Sequence, residues 1–147
     1  MTTYHANGPA AIGTSSFGNA VAVDGKATIT AALTTNDEVI LVELPAGFRL
    51  QELAYRNGDL DSGATLAFNL GYRSTHPNQE VAANATYFLS GSTAGQGAQN
   101  SWVPLTFDPI TFNEPVQIVL KPTANATGLA ASAAIFALAK GIIQGLR

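Results

Sequence analysis

The sequence predicts an all-β fold, an antiparallel β-sandwich that is jelly-roll-like and has about eight short strands. Its 147 residues suit a single domain. The apolar residues come in short runs, and most runs alternate with polar residues as in strands with one buried face. Clusters of Gly, Pro, Asn and Asp separate these runs and mark turns.

Residues 37–72 form a central stretch of three predicted strands. The first of these strands is predicted to be buried on both faces. The run Val39–Leu44 is apolar and rich in β-branched residues, as is typical of such strands. Pro45-Ala46-Gly47 ends it, because proline lacks the N–H that a ladder needs and glycine accepts tight-turn geometry.

The second central strand, Phe48–Tyr55, alternates less regularly. The alternation places three residues on the predicted inner face: Phe48, Leu50 and Ala54. Leu53 and Tyr55 then fall on the outer face, and Glu52 falls on the inner one. This strand therefore has a weaker pattern than its neighbours.

The third central strand, residues 65–72, has the clearest alternation. One face carries Leu66, Phe68, Leu70 and Tyr72. The segment before it, residues 57–63, is dense in turn-forming residues. Phe68 is therefore predicted to lie in the core.

Residues 1–24 predict an extended N-terminal arm, and residues 25–147 predict the jelly-roll β-sandwich domain. Gly, Pro, Asn and Ser interrupt any periodicity in the arm, while its scattered large apolar side chains suit docking onto a neighbour. A flexible tail without such a role is the alternative. We expect the arm to be mobile in the free protein and ordered only against partner subunits. Asp24-Gly25 is interpreted as a turn that leads into a strand at Ala27–Thr35.

The second half of the chain predicts shorter elements. Residues 73–84 and 91–100 are predicted loops, and residues 85–90 favour a helical turn over a strand. Further strands are predicted at residues 102–105, 110–112 and 116–121, with Pro122 ending the last of them. For Leu129–Ala139 the alanine content favours a helix, but the alternation and the preceding hairpin spacing favour a strand, which we adopt.

Composition excludes several classes of function. The net charge is −3, only 12% of residues are charged, and no basic patch is present, so we expect no nucleic-acid binding. There is no cysteine, no signal-peptide pattern, and no apolar run long enough to span a bilayer, which predicts a protein that is not secreted by the usual route. A weakly charged surface suits permanent contact with other protein, although a plain small-residue β protein would look the same.

No pattern of catalytic residues is found. His5 and His76 are far apart, no nucleophile motif occurs, and we expect no enzyme activity, cofactor or metal. Asp59-Leu60-Asp61-Ser62-Gly63 has the look of a calcium loop, but a side-chain-capped turn is the preferred interpretation. Three aromatic residues could form a carbohydrate platform, although core packing is preferred for them: Tyr87, Phe88 and Trp102.

The segments Leu44-Pro45-Ala46-Gly47, Gly58–Leu66 and Leu70-Gly71-Tyr72 together resemble the jelly-roll cement (decoration) proteins of tailed-phage capsids. The resemblance implies a homo-oligomer, dimer or trimer, that binds the outside of an HK97-type shell and holds major capsid subunits together. It implies a virion protein made in the host cytoplasm.

Seven apolar residues of the arm and of the C-terminal segment are the candidate partner contacts: Tyr4, Ile12, Phe17, Val21, Ile142, Ile143 and Leu146. The competing hypothesis is a carbohydrate- or receptor-binding module of a virion appendage, since lectins share the jelly-roll architecture.

Overall fold

The computed structural model describes residues 1–6, 20–131 and 133–144. These residues form a short 3-10 helix at Ala94–Gln96 and ten strands. The strands are β1 Thr3–His5, β2 Ala20–Thr28, β3 Glu38–Leu44, β4 Phe48–Asn57, β5 Ala67–Ser74, β6 Asn84–Ser92, β7 Gln99–Pro104, β8 Ile110–Thr111, β9 Val116–Ala124 and β10 Ala134–Ile143. No helix in these segments is both long and apolar enough to cross a membrane.

The strands form two five-stranded sheets packed as a sandwich. The first sheet has the order β1-β3-β9-β5-β6, and the second has the order β2-β10-β4-β7, with β8 also paired to β4. The antiparallel pairs are nested: β5 with β6, β4 with β7 and β8, β3 with β9, and β2 with β10. Such nesting is a long hairpin rolled into two sheets, which is the jelly roll. The predicted fold class is confirmed.

The core lies between the two sheets and is built as the central stretch predicts. Four consecutive residues of β3, Val39 to Val42, are buried, which confirms a strand covered on both faces. Phe68 is fully buried, at 0% exposure, and its ring meets that of Tyr55 edge-to-face at 6.2 Å between centroids. Phe68 is therefore the core residue that the alternation predicts.

A β-bulge explains the irregular pattern of β4. Lys140 pairs with Glu52 and the next residue of β10 pairs with Leu50, so Gln51 is the extra residue. A bulge shifts the alternation by one position. Leu53 and Tyr55 are consequently buried while Ala54 is half-buried, and the predicted facing of these three residues was wrong.

Gly25 lies inside a strand rather than in the predicted turn. A Cβ at this position would lie 2.0 Å from the carbonyl oxygen of Leu41, so the glycine permits a close approach between β2 and β3. Strand β2 begins at Ala20 and therefore crosses the expected boundary between arm and domain. Strand β1 pairs in parallel with β3 at the edge of the first sheet. Residues 7–19 of the expected arm lie outside the described residues.

Three other local predictions can be compared with the structure. Residues 85–90 belong to β6, so the helical turn was wrong. Strand β9 continues through Pro122, which pairs in register with Phe68 of β5 and lies beyond Leu120, the last residue of β9 that pairs with β3. The predicted end of this strand at Pro122 was wrong. The strand preferred over a helix near residues 129–139 is confirmed as β10, although it begins at Ala134.

Candidate functional site

The four sequence-predicted contact residues that the structure describes do not converge on one surface. Tyr4 and Ile143 are 9% and 3% exposed and lie in the hydrophobic core. Val21 is half-buried and packs against that core, while Ile142 is half-buried on the outer face of β10. Ile12, Phe17 and Leu146 lie outside the described residues.

The loop Asp59–Gly63 is a side-chain-capped turn. Asp61 is buried, and one carboxylate oxygen accepts hydrogen bonds from the backbone N–H groups of Gly63 at 3.0 Å and Thr127 at 2.8 Å. The other oxygen accepts from the N–H groups of Thr65 and Leu66, both at 2.9 Å. Burial by itself would raise the pKa of Asp61, but these four donors hold the pKa well below its usual range.

Ser74, His76 and Glu114 meet at one place, yet their geometry is that of a loop anchor. Ser74 Oγ donates to the Glu114 carboxylate at 2.7 Å, and His76 Nδ1 lies 3.4 Å from the same carboxylate. Glu114 also accepts from the backbone N–H groups of Glu80 and Val81. In a Ser–His–Asp or Ser–His–Glu triad the serine hydroxyl donates to an imidazole, which the carboxylate orients. Here the Ser74 hydroxyl donates its hydrogen bond directly to the Glu114 carboxylate. The carboxylate thereby links the loop of residues 74–81 to residue 114.

Two of the three aromatic residues considered for a carbohydrate platform are packed. Phe88 is buried, and Tyr87 packs edge-to-face on Tyr72 and Phe88 at 5.4 and 5.1 Å between ring centroids. Trp102 differs from both, because it is 42% exposed. Trp102 lies in β7, on the outer face of the second sheet.

A row of cationic and aromatic side chains crosses that outer face. Phe136 of β10 pairs in register with Lys26 of β2 and with Arg56 of β4. The Arg56 guanidinium lies 4.1 Å from the Phe136 ring centroid and 5.4 Å from the Trp102 ring, and Lys26 Nζ lies 5.4 Å from Phe136. We call these four residues the cation–aromatic row. Its members come from four separate strands, so only the strand order could have revealed it.

A cavity of about 570 Å³ opens beside the row. Lys26, Arg56 and Phe136 line one side of it. Leu129 lines it as well and is 42% exposed. Together with Met1, Trp102 and Leu129 are the large apolar side chains that are exposed among the described residues. Two of these three thus lie at the row or at its cavity.

Three of the four cations on this face have no carboxylate partner among the described residues, and the fourth, Lys140, pairs with Glu52. Lys26, Arg49 and Arg56 have no carboxylate within 4.0 Å among the described residues, whereas Arg73, Lys121 and Lys140 are paired. The Nε atoms of Arg49 and Arg56 are also buried without an acceptor in the described part of the chain. In the same part of the chain, no group of three or more His, Asp or Glu side chains is placed to hold a metal ion. The arrangement can bind anionic groups next to apolar ones.

Three solved structures share this fold. A chain of the cyanophage Pam1 capsid asymmetric unit has a TM-score of 0.63 and 24% identity, over 90% of this chain and 91% of that one. A chain in the capsid of Ralstonia phage GP4 has a TM-score of 0.62 and 21% identity, over 89% and 88%.

A chain in the acidic stable capsid structure of Helicobacter pylori bacteriophage KHP30 has a TM-score of 0.53 and 15% identity, over 83% and 94%. At these identities the likeness shows a shared fold, and the predicted resemblance to tailed-phage capsid proteins holds at that level. No protein-family model and no curated protein matches the sequence.

Proposed function

We propose that this protein is a capsid cement (decoration) protein that binds the outer surface of a phage head and stabilises contacts between major capsid subunits. The observation that carries the proposal is the fold likeness to chains of two phage capsids over about 90% of the chain. A weakly charged surface and an exposed cationic–apolar face are the features that permanent contact with a protein shell requires. The protein is then made in the host cytoplasm and resides on the virion surface.

Add-back to shells tests this proposal. Heads of the phage that encodes the chain, produced without it, are mixed with purified protein, and the bound copies are counted by quantitative mass spectrometry. We expect a copy number comparable to that of the shell subunit, together with resistance of the heads to heat or chelator. Failure of the wild-type protein to bind these heads would refute the cement function.

We further propose that the protein is a homo-oligomer, a dimer or a trimer. Strand β2 is an edge of the second sheet, and among the described strands it has β10 as a neighbour on one side. The charged residues Asp24 and Lys26 lie in the second half of β2, whereas its first residues, Ala20 to Ala22, carry no charge. An uncharged edge segment that no other described strand covers is a suitable site for pairing with a second copy.

Substitution at the β2 edge tests self-association. Ala22→Glu places a charge on the edge, where charged residues block strand pairing, and its neighbour in β10 is the compatible Lys140. Ala83→Glu, on the exposed loop before β6, is the matched control. Light scattering should show that Ala22→Glu dissociates the oligomer and that Ala83→Glu does not. A wild-type monomer at high concentration, with isolated copies on heads, would sink the proposal.

A carbohydrate- or receptor-binding role on a virion appendage is the second candidate. The exposed Trp102 favours it, since a tryptophan face can stack on a sugar ring, and the adjoining cavity is lined by Asn57, Gln99 and Asn100. Copy number separates the two candidates, because a tail appendage would carry far fewer copies than the shell.

A further inference from the structure

We propose that the outer face of the second sheet is the shell-docking face, and that its cation–aromatic row receives a carboxylate-bearing, partly apolar segment of the shell subunit. This inference rests on the proposed cement function.

Charge distribution is the first argument. The chain has a net charge of −3, yet the outer face of the second sheet carries four cations, Lys26, Arg49, Arg56 and Lys140, against two carboxylates, Asp24 and Glu52. Glu52 is already paired with Lys140. The cations left without a carboxylate among the described residues are therefore concentrated on one face. An acidic surface is complementary to it.

The geometry of Arg56 is the second argument. Its guanidinium stacks on Phe136 at 4.1 Å, and stacking holds the planar group without using its terminal N–H donors. Such a fixed fork suits bidentate binding of a carboxylate. Trp102, which lies 5.4 Å from the guanidinium, and Leu129, in the adjoining cavity, provide exposed apolar area for the residues that flank that carboxylate.

The hydrogen-bonding groups of the row itself favour one class of partner. The side chains of Lys26, Arg56 and Trp102 are donors that carry no acceptor. A neutral sugar hydroxyl can accept a hydrogen bond from these side chains, but its own O–H would find no acceptor among them. Carboxylates only accept, and they supply the negative charge as well. The row crosses four strands spaced about 4.8 Å apart, a span of about 14 Å that an extended segment of about four residues would cover.

Charge and aromatic substitutions on the row test the proposal. The variants are Arg56→Gln and Trp102→Ala, and the control is Lys121→Gln, which removes one exposed cation from the first sheet. Affinity for heads that lack the protein is measured by sedimentation at two salt concentrations. We expect each row variant to bind about tenfold or more weakly, and the control to stay within about twofold of the wild type. Wild-type binding should weaken with salt, and polyglutamate should compete with it.

The outcomes are distinguishable. Wild-type protein that fails to bind heads overturns the cement function and the inference together. Wild-type binding that both row variants retain overturns the inference alone. Competition by an acidic oligosaccharide such as hyaluronate, without competition by polyglutamate, replaces the protein segment by a glycan and also overturns it. Thermal midpoints show that each variant is folded. If Arg56→Gln is not, the exposed Trp102→Ala carries the test.

Discussion

Replacement of Asp61 by alanine should destabilise the protein more than any surface change. Asp61 lies in the loop between β4 and β5 and is 1% exposed. Its carboxylate accepts hydrogen bonds from Thr127 and Gly128, which belong to the loop between β9 and β10, at 2.8 and 3.3 Å. One side chain thus joins two loops that are distant in sequence, and Asp61→Ala would release both.

The magnitude follows from the donors that would be left behind. The N–H of Leu66 is buried, and a buried donor without an acceptor costs about 1–3 kcal/mol. Four further backbone donors are partly buried, and each of their bonds contributes about 0.5–1.5 kcal/mol. They belong to Gly63, Thr65, Thr127 and Gly128. We expect Asp61→Ala to lower the free energy of unfolding by at least about 3 kcal/mol.

Urea unfolding at neutral pH measures this loss, with the m-value confirming that the same surface is exposed. Asp59→Ala is the matched control, because Asp59 accepts one hydrogen bond, from the N–H of Asp61 at 3.1 Å, and is half-buried. The control should lose no more than about 1 kcal/mol. A loss below about 1 kcal/mol for Asp61→Ala would refute the view that its carboxylate joins the two loops.

Four more predictions follow from the structure. The pKa values of Asp37, Asp61 and Glu114 are lowered in the folded protein. Their contribution to stability is therefore present above the unfolded pKa of about 4 and is lost as the pH falls below it. Unfolding measured as a function of pH should show this decline, and Asp61→Ala should make it smaller. Phe68→Ala should cost about 3–5 kcal/mol in chemical unfolding, and a loss below about 1 kcal/mol would contradict its place in the core. Gly25→Ala should cost about 1–3 kcal/mol because of the Leu41 carbonyl, whereas Gly97→Ala, which meets open space, should stay within about 0.5 kcal/mol. Deletion of residues 2–6 should lower stability by about 2 kcal/mol or more through loss of the buried Tyr4, and an unchanged thermal midpoint would show that β1 is dispensable.

The fold class could be predicted because local pattern and tertiary structure agree over much of the chain. The fully apolar run of β3 and the alternation that contains Phe68 both specify burial directly. The facing of Leu53 and Tyr55 could not be predicted, since the bulge at Gln51 is set by pairing with β10, which is about ninety residues away in sequence. The turn predicted at Gly25 was wrong for the same reason, a tertiary contact that local sequence does not show. The role of Gly25 depends on the approach of β3, not on its neighbours.

The candidate site was beyond sequence reasoning for a related cause. Lys26, Arg56, Trp102 and Phe136 are spread over more than a hundred residues, and none belongs to a local motif. They become neighbours only through the order β2-β10-β4-β7, which alternation cannot supply. The sequence did show that charged residues are few. Three cations on one face that have no carboxylate partner in the described part of the chain are therefore a notable concentration. The sequence predicted partner contacts at the two ends of the chain, and among the residues described there Tyr4 and Ile143 are part of the core.

In the N-terminal segment, apolar burial and backbone hydrogen bonding both contribute to order. Ordering residues 1–24 by apolar burial alone is unfavourable, because each fixed residue costs about 1–2 kcal/mol and the large apolar side chains are few. Backbone pairing changes the balance for residues 2–6. The Thr2 N–H donates to Asp37 at 2.8 Å, the Glu38 N–H donates to the Thr2 carbonyl at 3.0 Å, and the Ala6 N–H donates to the Ile40 carbonyl at 2.9 Å. These bonds cover the edge of β3, whose own N–H and C=O groups would otherwise have no strand beside them on that side. The first strand therefore belongs to the β-sandwich, and the proposed contact with a shell is expected on the outer face of the second sheet.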